Sequence, residues 1–178
     1  INSAFSANIE GLQSLVPSVS FRKGNTTRNS AITVRGIGTI SFSVAAEPSV
    51  STVVDGVVLG RSGQAFVDLY DLERIEVLRG PQGTLFGKNA SAGVINMTDK
   101  RPGDVFGGML EATLMQDNEY RLKGRVSGAL NDNINGSLTV MKSQFDGYIH
   151  NVFNNQTTSG YDKEGFRGML DIDAGNDT

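Results

Sequence analysis

Cysteine and tryptophan are absent from this sequence of 178 residues, which also has only four prolines and a single histidine. Without cysteine there is no disulfide framework, no thiolate zinc site and no thiol nucleophile. The one imidazole, His150, makes a poor metal site by itself and has no plausible Ser–His–Asp arrangement around it. We therefore predict that the chain is not an enzyme and holds neither a metal nor a cofactor.

Long apolar runs and an excess of basic residues are missing as well. The net charge is −3 with no basic stripe, so we do not expect a nucleic-acid partner. No run of about 18 apolar residues exists, which excludes a transmembrane helix, although a spanning β-strand needs only about 10 alternating residues. Because the sequence opens on Ile1, which is not a start residue, we expect a piece of a longer protein.

Short elements separated by turns fill the first hundred residues. Apolar residues at Ile9, Leu12, Leu15 and Val16 predict a short helix, and Asp55-Gly56 between two valine-rich runs predicts a β-hairpin. The most distinctive stretch runs from Asp71 to Gly87. It begins as a strand in which Glu73, Arg74, Glu76 and Arg79 are interleaved with apolar residues, and it turns sharply at Gly80-Pro81-Gln82-Gly83. The short segment 84–87 must then pack against its neighbours.

From residue 107 onward the pattern changes to longer alternating segments. In four of them the apolar residues fall on even numbers, and the odd positions carry charge of both signs. The even apolar positions include Leu110, Leu114, Leu122, Val126, Leu130, Leu138, Val140, Phe166, Leu170 and Ile172. Such strands suit either a soluble sandwich or a barrel wall in lipid, and alternation alone favours the sandwich because the membrane signal is weak in each strand.

Turn lengths favour the barrel. The turn at residues 131–133 is tight, whereas residues 146–162, which contain His150, read as a long, polar, Asn-rich loop. Short turns at one end and a long loop at the other are typical of outer-membrane barrels.

Several blocks of the sequence, in order and at matching spacing, resemble the plug domain of TonB-dependent outer-membrane receptors. They are Val34-Arg35-Gly36-Ile37-Gly38, Val53-Val54-Asp55-Gly56-Val57, residues 71–90 and Gly93-Val94-Ile95-Asn96. The resemblance implies an α+β plug domain, a small mixed sheet with short helices, at residues 1–103. Residues 104–178 would then be the first four antiparallel strands of an incomplete transmembrane β-barrel. A TonB box, which family members carry before the plug, is not found in the sequence.

The family resemblance also implies a function and a location. Such a receptor takes up a scarce nutrient, most often a ferric siderophore, across the Gram-negative outer membrane, while the plug gates the barrel lumen. Its partners are the TonB–ExbB–ExbD energy complex, reached through an N-terminal segment, the nutrient ligand and outer-membrane lipid. The alternative is a soluble β-rich binding or signalling module that uses a plug-like domain.

Two sets of site residues follow from the resemblance. Plug–barrel contacts would join Arg74, Glu76 and Arg79 to charges on the barrel wall, because ion pairs and water make an interface that can rearrange. The wall residues are Glu111, Arg121 and Arg125, with Lys123, Arg167 and Asp171 as further members of the same face. Ligand contacts would fall on two plug loops, at Phe42, Arg61, Gln64 and Phe66.

Overall fold

The computed structural model describes residues 9–22, 30–40, 46–65, 71–115 and 118–174. The chain divides into two compact units, Ile1–Lys100 and Arg101–Thr178. Each unit is described by itself.

The first unit combines a mixed sheet with very short helices. Its helices are α1 (Leu12–Leu15), preceded by a 3₁₀ turn at Ile9–Gly11, and α2 (Gly83–Phe86), with a further 3₁₀ turn at Ser62–Ala65. Its strands are β1 (Val19–Arg22), β2 (Ala31–Val34), β3 (Val50–Val54), β4 (Val57–Leu59), β5 (Leu72–Arg79) and β6 (Gly93–Asp99). β1 and β2 form a two-stranded antiparallel sheet, and the other strands form a sheet in the order β4-β3-β6-β5. β3 and β6 run parallel, and the other pairs are antiparallel.

The predicted hairpin at Asp55-Gly56 is confirmed. Asp55 has φ 47° and Gly56 has φ 81°, and the turn joins β3 to β4 with Val54 opposite Val57. Positive φ at both central residues is what a type I′ turn requires in a two-residue hairpin, and Asp-Gly is among the pairs that tolerate it. Here the local sequence is sufficient to specify the turn.

The core of the first unit lies between the central strands and the N-terminal helical turns. Its buried residues are Ile9, Leu12, Val19, Ile32, Val34, Val50, Ala92, Ile95 and Met97. The predicted helix therefore contributes Ile9 and Leu12 to the core, whereas Leu15 is largely exposed. The helix is only one turn long after its 3₁₀ start, which is too short to keep one continuous apolar face.

Segment 84–87 differs from the expectation that it packs against its neighbours throughout. It forms the single turn of α2, and Phe86 packs against the small cluster of Val53, Ala90 and Val94. Leu85, however, is 80% exposed. One helical turn can direct one of two adjacent side chains into the unit, and the other then points to its surface.

The second unit is a four-stranded antiparallel sheet in sequence order. Its strands are β7 (Gly107–Leu114), β8 (Tyr120–Asn131), β9 (Ile134–Asn151) and β10 (Gln156–Ile172). The large apolar residues at even positions are exposed, whereas Arg125, Ser137, Thr139, Met141 and Ser143 at odd positions are buried. The predicted two-sidedness is therefore confirmed, and the apolar side is the more exposed one.

The predicted long loop at residues 146–162 is wrong. β9 continues to Asn151 and β10 begins at Gln156, so the connection is a four-residue turn and His150 lies in a strand. Asn151 Oδ1 accepts a hydrogen bond from Phe153 N at 2.9 Å, and Asn154 Oδ1 accepts one from Gln156 N at 3.1 Å. The asparagines thus close a tight turn, because their side chains replace backbone acceptors. The polar residues before and after this turn pair with each other as strands.

Candidate functional site

The charged strand β5 lies at the edge of the mixed sheet. Among the described strands it pairs with β6 alone. Arg74 contacts Glu73 (Nη1–Oε1, 3.6 Å) and Glu76 (Nε–Oε1, 3.5 Å), and Asn96 Nδ2 donates to Glu76 Oε2 at 2.8 Å. Side chains of both signs on an edge strand discourage unwanted strand pairing. Since about half of each charged side chain is exposed, these pairs stabilise the fold weakly.

Arg79 ends β5 and leads into a turn that is held against the segment just before β6. Arg79 is exposed and lies opposite Gly93. Gly80 N then donates to Ala92 O at 3.1 Å, and Gln82 N donates to Ala90 O at 2.8 Å. The turn therefore fixes the position of the Arg79 backbone.

Of the four predicted ligand-contacting residues, Phe42 and Phe66 lie outside the described residues. Arg61 and Gln64 are both exposed. Gln64 Oε1 accepts a hydrogen bond from Arg61 N, and Arg61 O accepts one from Gln64 N, each at 3.1 Å. The Gln64 side chain thus braces its own loop, and the loop presents the Arg61 side chain at the surface.

On the odd face of the second unit, the predicted wall residues have different surroundings. Glu111 is exposed at the β7 edge of the sheet. Arg125 is 8% exposed, and its Nη2 donates to Arg101 O at 3.0 Å. Arg121 is half-buried, and its Nη2 lies 2.5 Å from Glu119 Oε1.

Arg121 is part of a compact cluster that the sequence interpretation did not identify. Tyr161 donates its hydroxyl to Glu119 Oε1 at 2.6 Å, and Arg121 Nη2 lies 3.4 Å from the same hydroxyl. Lys163 Nζ stands 5.0 Å from the centre of the Tyr161 ring. Burial opposes the charge of Arg121, but its contacts with Tyr161 and Glu119 outweigh that effect and raise its pKa.

Two further aromatic rings complete this cluster. The Phe145 ring lies 5.6 Å from that of Tyr161 and 6.2 Å from that of Tyr148. We call these six residues the aromatic–cationic cluster: Glu119, Arg121, Phe145, Tyr148, Tyr161 and Lys163. Five of the six residues have odd numbers, which by the alternation of the strands predicts that they share the charged face. The assignment of residues 146–162 to a loop concealed this prediction.

A β-bulge between β9 and β10 brings Tyr148 to the side of Phe145. The register shifts between Thr158 and Ser159, so that Gly147 lies opposite Ser159 and Ile149 opposite Thr158. Gly147 has φ 102°, and a Cβ there would stand 2.2 Å from Thr158 O. Only glycine fits this approach, and the extra residue moves Tyr148, at an even position, to the odd face.

Basic residues follow the cluster along the odd face in two further rows. Strand register places Arg121 and Lys163 on either side of Ser143, and Arg125 and Arg167 on either side of Thr139. Lys123 lies in the row between them, opposite Glu111. Among the described residues of the cluster and the strands, this face carries five cations and three carboxylates, Glu111, Glu119 and Asp171, although the whole chain has net charge −3.

On β9 and β10 the apolar band of the even face ends at Lys142 and Glu164, whereas β8 and β7 carry Leu122 and Ala112 in the same row. Along β9 the band runs from Ile134 to Val140, and the next even residue is Lys142. Lys142 Nζ lies 2.6 Å from both Asp162 Oδ1 and Glu164 Oε1. Its hydrogen bonds with Asp162 and Glu164 raise the pKa of Lys142 above the usual value of a lysine. An ionic row of this kind suits a boundary between hydrocarbon and water.

Neither a spanning helix nor a metal site is found in the part of the chain that the structure describes. No helix there is long and apolar enough to cross a membrane. No group of three or more metal-ligating side chains lies close enough together among those residues to hold an ion.

Comparison with known proteins gives one consistent family. The profile of the TonB-dependent Receptor Plug Domain matches residues 2–94. The pesticin receptor of Yersinia pestis is 33% identical over 141 residues, which is 79% of this chain and 20% of that protein. The catecholate siderophore receptor Fiu of Escherichia coli K12 is 37% identical over 79 residues, or 44% of this chain and 9% of that protein.

The fold agrees with that family. The crystal structure of the ferric yersiniabactin uptake receptor FyuA from Yersinia pestis superposes with a TM-score of 0.83 at 29% identity, covering 94% of this chain and 26% of that one. The chain thus spans between a tenth and about a quarter of the lengths of these proteins. The α+β unit and the open antiparallel sheet correspond to a plug domain and strands of an incomplete barrel. These matches set aside the alternative of a soluble binding module. Because the plug profile matches over half of its length, the chain belongs to the TonB-dependent receptors of the Gram-negative outer membrane.

Proposed function

We propose that the receptor to which this chain belongs imports a ferric siderophore through the outer membrane. The observation that carries the proposal is the two-sided sheet of the second unit, with an exposed apolar band on one face and a charged face with a net positive charge on the other. An apolar outer face suits lipid, and a polar inner face suits an aqueous lumen. The relatives named for ferric yersiniabactin and catecholate siderophores support the choice of nutrient.

We assign the parts of the chain as follows. Residues 1–103 act as the plug that gates the lumen, and residues 104–178 act as the first four strands of the barrel. The energy for import comes from the TonB–ExbB–ExbD complex, and the dependence on TonB in the family name supports this assignment. The protein works as a receptor and transporter and not as an enzyme.

The contacts between plug and wall involve Arg74, Glu76 and Arg79 on β5 and Glu111, Arg121 and Arg125 on the wall. The support for these roles is the charge on both sets of residues and the exposure of the β5 side chains. Ionic contacts tolerate sliding and hydration better than a packed apolar interface does. We also propose that the ligand contacts the two plug loops that contain Phe42, Arg61, Gln64 and Phe66, and the exposure of Arg61 and Gln64 supports this.

The test is uptake of radioactive iron by a strain that lacks the complete receptor gene and by the same strain with the gene restored. We expect uptake of a ferric siderophore to appear on restoration and to vanish in a strain without TonB. Cobalamin and oligosaccharide uptake serve as comparisons. If the restored gene supports import of one of these and of no iron chelate, siderophore uptake is not the function.

A further inference from the structure

We infer that the aromatic–cationic cluster binds the aryl group of an anionic ferric chelate, such as a catecholate or a phenolate. This inference rests on the proposed function, because it concerns the ligand of the same receptor. It selects aryl chelates over aliphatic hydroxamates, cobalamin and glycans. The residues that would contact the ligand are the three rings of Phe145, Tyr148 and Tyr161 and the two cations Arg121 and Lys163.

The three rings form a surface on which a further ring can stack. Phe145 lies between the other two, with an interplanar angle of 26° to Tyr148 and 52° to Tyr161. Tyr148 is 72% exposed, so most of its ring is available for contact. Offset and tilted ring pairs at such separations attract through their quadrupoles, and a bound aryl group would extend the series.

The bulge shows that the backbone is shaped to present Tyr148 on this side. In a regular ladder an even residue of β9 would face the apolar side, with Val140 and Leu138. Gly147 and Gly160 permit the irregularity, since a Cβ at Gly160 would stand 2.4 Å from Phe145 O. Bulges commonly re-aim a side chain near a functional site.

The charges beside the rings favour an anion. Glu119 neutralises one positive charge, and its contacts with Arg121 and Tyr161 fix the position of both side chains. The second cation, Lys163, stands over the Tyr161 ring. Farther along the face, Lys123, Arg125 and Arg167 outnumber Glu111 and Asp171, so the net charge of the face stays positive. A ligand that combines aromatic rings with negative charge satisfies both features, whereas a neutral glycan or hydroxamate chelate satisfies one at most.

Binding should be measured on the complete receptor purified in detergent, by calorimetric titration with a ferric tris-catecholate and with a ferric trihydroxamate. We expect the catecholate complex to bind at least tenfold more tightly. Tyr148→Leu and Lys163→Gln should each weaken catecholate binding about threefold to tenfold, which is the range of one ring stack or one cation–π contact. The Lys163→Gln variant should also show a smaller loss of affinity as salt is raised.

Matched controls come from the opposite face of the same strands. Phe166→Leu removes a ring from β10, and Lys142→Gln removes a cation from β9, and neither should change catecholate affinity. Because Tyr148 is largely exposed, its variant should fold even if one at Tyr161 did not. Equal affinity for the two chelates, or control variants that weaken binding as much as Tyr148→Leu, would overturn the inference while siderophore import stood. A receptor that binds and imports no ferric chelate would overturn both.

Discussion

Replacing Leu138 with arginine tests whether the even face of the second unit lies in hydrocarbon. The apolar band along β9 covers residues 134–140, about 24 Å along a strand that rises about 3.4 Å per residue. A tilt of about 40° reduces this to about 18 Å of height, which is roughly three-quarters of the ~25 Å apolar band of outer-membrane barrels. Leu138 lies close to the centre of the band, and Lys142 lies just beyond its end.

An arginine near the bilayer midplane destabilises a barrel by about 2–4 kcal/mol, and near the interface by about 0–1 kcal/mol. We therefore expect Leu138→Arg to reduce the folded-to-unfolded ratio about a hundredfold, using about 1.4 kcal/mol per factor of ten. Lys142→Arg, on the same face of the same strand, should change it little. The assay is urea-dependent folding of the complete receptor into lipid vesicles.

Lipid thickness separates hydrocarbon from a protein core. In vesicles of short-chain lipid the cost of Leu138→Arg should fall, because the arginine comes closer to water. A buried position in a protein core would be as costly in thin lipid as in thick lipid. A cost for Leu138→Arg that equals that of Lys142→Arg, or that does not depend on lipid chain length, would refute the assignment of this face to lipid.

Three further changes probe the bulge, the plug core and the edge strand. Gly147→Ala forces a Cβ to within 2.2 Å of Thr158 O at φ 102°, so we expect the free energy of unfolding to fall by about 1–3 kcal/mol and the near-ultraviolet circular dichroism of the neighbouring rings to change. Gly168→Ala is the control, because a Cβ there would have nothing within 4 Å. Equal effects of the two variants would contradict the close approach at Gly147. Ile95→Ala leaves a cavity at a fully buried site on β6, so hydrogen exchange of the β6 amides should show a free energy of opening lower by about 2–5 kcal/mol. For Ile95→Val the decrease should be about 0.5–1.5 kcal/mol. Similar decreases for both variants would contradict the prediction and mean that the site collapses around the smaller side chain. Arg74→Gln breaks two half-exposed ion pairs and should change the free energy of unfolding by less than about 1 kcal/mol. If Arg74 contacts the barrel wall as proposed, the variant should also let more of a large antibiotic into the cell. Unchanged entry in the double variant Arg74→Gln with Arg79→Gln would refute the proposed contact.

Features that depend on neighbouring residues in the chain could be predicted from the sequence. Asp55-Gly56 needs two positive φ angles, and its own residue types supply them. The alternation of Leu138 and Val140 with polar residues identifies two faces, because the period of a strand is two whatever it pairs with. Family resemblance in residues 34–96 then identified the plug without any knowledge of its contacts.

Features that depend on which strands pair were not accessible in this way. Residues 146–162 are polar and Asn-rich, so their composition indicates a loop, yet backbone hydrogen bonds between β9 and β10 hold them as strands. The same pairing and the bulge at Gly147 bring Phe145, Tyr148 and Tyr161 beside Arg121 and Glu119, across as many as 42 residues of sequence. Alternation along one strand tells which face a residue occupies, but register across strands determines its neighbours, and register is set by long-range hydrogen bonds and by glycines that permit close approach.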